Sequence, residues 1–394
     1  MKKIADWIRP EIVFLVVAPL VGLACLILTP PFQVADEPDH FFRIVQVAGG
    51  DFVGERRGTE SGGEIPASLV AMRDHFVDGD PASGAVRWDR KKWADVKTYL
   101  TRRVDWTPRQ YVDFRTKTLY APVVHLPQMA GVWIAKALNL PPLWLVYGGR
   151  FCALVFFIGL VYGAIRLTPI CPWGFAVVAM LPATLFHAAS LSADSTTNAL
   201  LFFFIAWMFR LAYENTAVTR RDVVLLLALA VGIGLCKSAY LLSLGLLFLV
   251  PPAKFGGWKK YWTVCAGAVS LALLGVALWA AAMKSSYVPL FDDVDEWAQV
   301  SFILREPAHF MGMLLGRILR SFRYLYLGGG LGLVNEFVGL LGWYAACVYI
   351  GQTSVAVLFW CAIVEKNDKI VIREWHRWIV FIVLSASVVM IAAL

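Results

Sequence analysis

Long apolar runs constrain this chain more than any other feature of its sequence. Several runs of about 17 to 24 residues carry few or no charges, and at 1.5 Å rise per residue such a helix crosses a hydrocarbon core of about 30 Å. Hydrophobic residues make up 59% of the chain and charged residues only 16%, unlike a soluble globular domain. The sequence therefore predicts an all-α polytopic membrane protein with residues 1–394 in a single membrane domain.

Basic residues in short loops predict the orientation of the helices, because such loops stay in the cytoplasm. The clusters expected there are Arg166; Arg210, Arg220 and Arg221; Lys254, Lys259 and Lys260; and Lys366, Lys369, Arg373 and Arg377. They agree if 120–138 is an outer juxtamembrane helix and 222–250 breaks outward at Lys237 and Ser238. About nine transmembrane helices follow, at 12–28, 143–165, 173–191, 196–212, 222–236, 239–250, 261–283, 342–363 and 378–394.

The predicted topology leaves two long segments outside the membrane. The first, 30–138, holds Gly, Pro and charged stretches that predict short juxtamembrane and amphipathic helices plus a mobile segment. The second, 284–341, precedes the C-terminal helices 342–394 and contains Arg317, Arg320 and Arg323 at helical spacing. That arginine face is typical of a basic amphipathic helix on anionic lipid, or of a cradle that binds a lipid phosphate bidentately.

Ionisable residues open the first outer segment, in Asp36-Glu37-Pro38-Asp39-His40. A carboxylate that accepts a proton from an attacking hydroxyl needs a second group nearby to orient it, and this cluster offers both. The alternative is structural, since Asp36 can cap a helix over 38–48 while the acids complement its dipole.

Asp194 and Lys237 are also expected on the outer side. Asp194 lies in a polar run, 192–198, typical of a helix N-cap, and capping is compatible with catalytic support. Lys237 is either a snorkelling residue at the break or a point charge that binds a phosphate. Charges cost about 2.5–3.5 kcal/mol at a helix centre and often mark functional pathways. His187 and His125, by contrast, are typical of core histidines, and we expect His187 to be hydrogen-bonded.

Several function classes are not supported by the sequence. The net charge of +8 comes without a basic stripe interleaved with stacking aromatics, so the partners expected are membrane lipids and not nucleic acid. The chain has no P-loop, GxGxxG or HExxH motif, and its seven cysteines lack CxxC spacing. No metal site is predicted, although a divalent cation held by Asp194 stays open.

Four stretches of the chain resemble one family of bacterial membrane proteins. They are Pro30-Pro31-Phe32-Gln33-Val34-Ala35-Asp36-Glu37-Pro38-Asp39-His40-Phe41, Tyr120-Ala121-Pro122 through Leu126-Pro127-Gln128, Leu181-Pro182 through Ser190-Leu191-Ser192-Ala193-Asp194, and Gly339-Leu340-Leu341-Gly342-Trp343. The family is domain-of-unknown-function family 2142 (DUF2142), and the resemblance extends over nearly the whole chain. A further outer motif usual in the family, of the Gln-Gly-Arg-Tyr type, does not occur in these residues, which predicts a shortened form or a missing C-terminal part.

DUF2142 is in turn similar to the GT-C superfamily of integral-membrane glycosyltransferases. That resemblance implies a GT-C-like helix bundle in the bacterial inner membrane and a polyprenyl-phosphate-linked sugar donor used on the periplasmic face. It places the acid of the first outer loop on Asp36, with Glu37 beside it, and the second outer acid on Asp194.

We therefore predict transfer of a sugar to a cell-envelope glycan, lipid or protein. Substrate binding is expected at Asp39, His40, Arg43 and Lys237, and on the face formed by Arg317, Arg320 and Arg323. The alternative from another class is a non-catalytic translocator or assembly partner for lipid-linked polysaccharide.

Overall fold

The computed structural model describes residues 9–77, 90–289, 295–313, 315–316, 374–380 and 382–383. The α-helices include α1 Pro10–Leu28, α2 Glu37–Ala48, α3 Ala67–Phe76, α4 Arg90–Tyr99, α5 Arg115–Thr118, α6 Leu126–Ala137, α7 Pro142–Leu167, α8 Pro172–Ala179, α9 Pro182–Ala188, α10 Ala193–Tyr213, α11 Arg220–Cys236, α12 Trp258–Met283 and α13 Glu296–Arg305. Residues 307–313 and 374–380 are helical as well. The strands are β1 Glu55–Arg57, β2 Glu60–Pro66 and β3 Arg109–Asp113. 3-10 helices run over Pro122–His125, Ser238–Leu249, Pro252–Phe255 and Lys284–Ser286.

Four helices are long and apolar enough to cross a membrane, counted over the described ranges alone. They are α1, α7, α10 and α12, the last extended by the 3-10 turn to Ser286, and each overlaps a predicted span. Helix α11 also matches its predicted span but has only 17 residues. The predicted helix 342–363 and most of 378–394 lie outside the described residues.

Two predicted spans differ from the structure. The prediction of one helix over 173–191 is wrong, because the chain forms α8 and α9 with a break between them. Leu181 at this break has extended backbone (ψ 135°), as expected for a residue that precedes proline. The segment predicted as a helix over 239–250 is a 3-10 helix, Ser238–Leu249. The chain does break at Lys237, where α11 has ended.

The first outer segment contains a small sheet that the sequence reading did not predict. Strands β1, β2 and β3 form an antiparallel sheet in that order, and Gly62 of β2 pairs with Asp113 of β3. Among its helices, α2 begins inside the acidic cluster, at Glu37, and α6 lies within 120–138.

Two large hydrophobic cores and a small third cluster hold the described chain together. One lies among the long helices and includes Phe14, Phe157 and Phe204. The other joins α2, the sheet and α6 to the start of α7, and includes Phe41 and Phe42. Helices α6 and α7 pack so closely that a Cβ at Gly131 would collide with the backbone of Gly148. The outer segment is thereby fixed to the membrane-spanning helices at the point where the acidic cluster lies.

Candidate functional site

Arg150, on α7, fixes the turn between α1 and α2. Its Nη1 donates to the carbonyl oxygen of Thr29 at 2.7 Å and its Nη2 to that of Pro30 at 3.0 Å. The same guanidinium donates to both carboxylate oxygens of Glu37, at 2.8 Å and 2.5 Å. The backbone N–H of Leu191 also donates to Glu37, at 3.3 Å. These contacts connect α1, α2, α7 and the approach to α10.

Both side chains of the Glu37–Arg150 pair have no exposed surface. A buried carboxylate must be paired and hydrogen-bonded, and removing one partner of such a pair costs about 3–5 kcal/mol. Glu37, predicted beside Asp36 as a catalytic residue, is thus enclosed, and both its oxygens are engaged. Glu37 therefore positions the start of α2.

Asp36 has entirely different surroundings. It occupies the N-cap position of α2 with left-handed backbone (φ 57°), a conformation that Asp tolerates better than most residues. Asp36 is thus the N-cap by position, with Glu37 and Asp39 in the first turn as the capping alternative predicts, but its side chain makes no capping hydrogen bond. Instead it accepts a hydrogen bond from Lys117 Nζ at 2.9 Å, and 48% of the side chain is exposed.

Lys117 comes from the short helix α5 and is mostly buried. Burial is the largest single effect and opposes its charge, but Asp36, Tyr120 and Asp39 together outweigh it and raise the pKa of the ammonium group. Burial also raises the pKa of Asp39. The nearby charge of Lys117 lowers that pKa, but by less than burial raises it. Lys117 therefore lies close to both acids and binds Asp36 directly.

Asp194 lies in the first turn of α10 and is bound by Lys237. Lys237 Nζ donates to an Asp194 carboxylate oxygen at 2.5 Å, with 33% and 32% of the two side chains exposed. The N-cap of α10 is Ser192, whose hydroxyl accepts the Asp194 N–H at 3.2 Å. The prediction that Asp194 is the N-cap is therefore wrong by two residues, which leaves its carboxylate available to Lys237.

The two ion pairs both lie near Tyr120. Lys117 Nζ is 5.9 Å from the centroid of the Tyr120 ring, and Tyr120 packs against the cluster of Ala193 and Cys236, the chain neighbours of Asp194 and Lys237. The charge of Lys117 also acts on Asp194. Gln128 of α6 connects the elements, since its amide donates to the carbonyl oxygen of Ser192 at 3.1 Å. We call the group Asp36, Lys117, Asp194 and Lys237 the two-lysine site.

Three histidines border the two-lysine site. The ring centroids of His40 and His125 are 5.2 Å apart, and that of Tyr120 is 5.5 Å from His40. His187, near the end of α9, interacts electrostatically with both His40 and Asp194. All three imidazoles are buried, and burial lowers the pKa of His40 well below its ordinary value and that of His125 to about 3.

The buried imidazoles lack protein partners. Hydrogen-bond partners are missing for both ring nitrogens of His125, both of His187 and Nδ1 of His40. The expectation of a hydrogen-bonded core histidine at His187 is therefore wrong. Buried polar atoms are normally paired, so this group of rings needs a further explanation.

A family model described as "Predicted membrane protein (DUF2142)" matches residues 20–394. The chain belongs to the DUF2142 family. The match contains every residue of the two-lysine site and of the three histidines, and it establishes the family resemblance seen in the sequence. No curated protein and no solved structure matches this chain.

Arg43, a predicted substrate-binding residue of this DUF2142 chain, has its guanidinium engaged within the fold. It donates to Gln46 Oε1 at 2.6 Å and to the carbonyl oxygens of Phe52 and Tyr120 at 2.8 Å and 2.9 Å. Its side chain is fully buried. These contacts hold α2 against the loop to the sheet and against Tyr120.

The remaining predicted cations, Arg317, Arg320 and Arg323, lie outside the described residues. Over the ranges that are described, no group of three His, Cys, Asp or Glu side chains is placed to hold a metal ion. The sequence reading missed Lys117, Tyr120 and Arg150. Arg150 had a usable signal, because an arginine inside an apolar span is costly unless it is paired. Lys117 stands among other polar loop residues and had none.

Proposed function

We propose that this protein is a membrane glycosyltransferase that moves a sugar from a polyprenyl-phosphate-linked donor to an acceptor hydroxyl of the cell envelope. The observation that carries the proposal is the convergence of two half-buried carboxylate–lysine pairs, Asp36 with Lys117 and Asp194 with Lys237. Such a site provides a proton acceptor and cations within one structure.

Asp36 is the residue best placed to act as the base. Its carboxylate is accessible, and Lys117 holds it by a hydrogen bond. In the proposed step the acceptor oxygen forms a bond to the anomeric carbon while the bond from that carbon to the phosphate oxygen breaks. The hydroxyl proton passes to Asp36, and the electron pair leaves with the polyprenyl phosphate.

Lys237 is the residue best placed to bind the departing phosphate. Negative charge grows on that group in the transition state, so a cation already in position lowers the barrier. Asp194 holds the ammonium group at 2.5 Å. Glu37 and Arg150 position the turn that carries Asp36. Phosphate binding by Arg317, Arg320 and Arg323, and a cation at Asp194, stay predictions.

We place the site on the periplasmic side of the inner membrane. Asp194 begins helix α10, whereas Arg210 is near its other end and pairs with Asp222 at 3.4 Å. The helix has 21 residues, about 30 Å of rise, so these two groups belong to opposite membrane surfaces. The basic loops around Arg210 and Lys254 are typical of the cytoplasmic side.

A surface-polysaccharide profile of cells that lack this gene tests the proposal. Complementation with the wild type should restore a missing sugar, whereas Asp36→Asn and Asp194→Asn at matched membrane abundance should not. Asp51→Asn is the control, since Asp51 is an exposed acid shortly after α2. If both site variants complement fully, the catalytic proposal fails and the non-catalytic translocator or assembly partner replaces it.

A further inference from the structure

The three histidines beside the two-lysine site share an unusual property. Their five ring nitrogens named above have no hydrogen-bond partner, although His40, His125 and His187 are 4%, 0% and 7% exposed. A neutral imidazole always offers one donor and one acceptor, and leaving these groups unpaired in a buried place is unfavourable. His40 and His125 lie ring against ring and His187 interacts electrostatically with His40, an arrangement suited to a ligand that supplies the missing hydrogen bonds.

The charges around the rings indicate the chemistry of that ligand. Lys117 and Lys237 act on His40, and Arg43 and Lys117 act on His125. Each lysine already binds a carboxylate, and Arg43 is hydrogen-bonded within the fold. Burial disfavours an added charge on the imidazoles themselves, as the lowered pKa values of His40 and His125 indicate. A ligand portion among the rings therefore needs donors and acceptors but no net charge.

Hydroxyl groups meet both requirements, because each one donates one hydrogen bond and accepts two. An aromatic face completes such a site, since the apolar C–H face of a sugar ring packs on it. Tyr120 provides that face, with its ring centroid 5.5 Å from that of His40 and 6.1 Å from that of His125.

We infer that His40, His125, His187 and Tyr120 form a binding site for an uncharged polyhydroxylated ligand, namely the sugar ring of the substrate. This inference rests on the proposed function for the identity of the sugar as a substrate, but its geometry is independent of the catalytic step. The charge of Lys237 acts on His40, so a sugar held by this group lies near that ammonium group.

Binding of free monosaccharides to the purified full chain in detergent tests the inference. The probes are glucose, galactose, mannose, rhamnose and N-acetylglucosamine, with inorganic phosphate as the charged comparison, and saturation-transfer NMR reports binding. We expect at least one sugar to bind saturably. Loss of one neutral hydrogen bond in His125→Phe should weaken it about tenfold, whereas His125→Gln should stay close to the wild type.

A second pair of variants, His187→Phe and His187→Gln, decides the matter if His125→Phe does not fold. The inference is overturned if no sugar binds the wild type or if only phosphate binds. It is also overturned if the Phe and Gln variants bind the sugar equally well. Asp51→Asn, a change at an exposed acid outside the site, should bind the sugar as the wild type does. If Asp36→Asn abolishes sugar transfer in cells but the histidine variants bind normally, the catalytic proposal stands and this inference fails. The reverse pattern retains the sugar site and rejects Asp36 as the base.

Discussion

Asp36 and Glu37 are adjacent acids with opposite surroundings. Glu37 is fully enclosed and receives both hydrogen bonds of the Arg150 fork, whereas about half of the Asp36 side chain is exposed and one lysine binds it. The difference arises because Asp36 lies before the first turn of α2 and Glu37 begins it, so the two side chains leave the chain in different directions. The acidic cluster is therefore not uniform, since Glu37 is enclosed in the fold while Asp36 stays accessible.

The enclosed pair should show the largest effect on stability. Arg150→Met leaves the Glu37 carboxylate buried without its partner, and we expect the free energy of unfolding to fall by about 3–5 kcal/mol. An SDS titration in mixed micelles measures this change. The double variant Glu37→Gln with Arg150→Met removes both charges and should recover most of the loss. A loss below about 1 kcal/mol for Arg150→Met would contradict the assigned role of the pair.

The buried imidazoles should make the free energy of unfolding depend on pH. Unfolded His125 takes up a proton near its ordinary pKa of about 6.5, but the folded protein does so only near pH 3. The unfolded state therefore binds more protons below about pH 6.5, and the free energy of unfolding should decrease by about 2 kcal/mol between pH 7 and pH 5. The same titration at several pH values measures the slope.

His125→Gln should remove that part of the pH dependence, because glutamine does not titrate. The matched control is His309→Gln, since His309 is a described histidine with 61% of its side chain exposed. An unchanged slope in His125→Gln would mean that His125 is already charged or accessible in the folded protein.

The half-buried pairs should matter less for stability than for function. Asp194→Asn, Lys237→Met and their combination form a double-mutant cycle, for which we expect a coupling energy on the order of 1 kcal/mol. The exposed pair Arg57–Glu64, with 45% and 39% of its side chains exposed, is the comparison and should give about zero. A coupling as large as that of Glu37 with Arg150 would place Asp194 with the structural acids.

Much of the fold follows from the sequence because helix length in a membrane is a strong constraint. The apolar runs predicted α1, α7, α10 and α12, and the break at Lys237 was also found. The single helix over 173–191 failed because Pro182 prevents it. Strand β2 has the sequence Glu-Ser-Gly-Gly-Glu-Ile-Pro, which lacks a strand pattern, and Gln46 pairs with the Gly62 carbonyl at 3.2 Å to hold it.

The sequence predicted three of the four residues of the two-lysine site. Asp36, Asp194 and Lys237 stand out in the sequence because acids and lysines are rare near apolar spans. Their partners do not, since Lys117 is 81 positions from Asp36 and Arg150 is 113 positions from Glu37. Contacts over such separations depend on how helices pack, and the sequence alone gives no register for them.

Comparing Asp36→Asn with Glu37→Gln in one experiment tests the central claim most directly. Each variant is scored for restored surface sugar in cells and for thermal unfolding of the purified protein, followed with a thiol-reactive dye that detects the buried thiols of Cys171, Cys236 and Cys265. We predict that Asp36→Asn unfolds like the wild type but restores no sugar, and that Glu37→Gln unfolds at a clearly lower temperature. A destabilised Asp36→Asn with normal sugar transfer, beside a stable but inactive Glu37→Gln, would contradict the division of roles between the two acids.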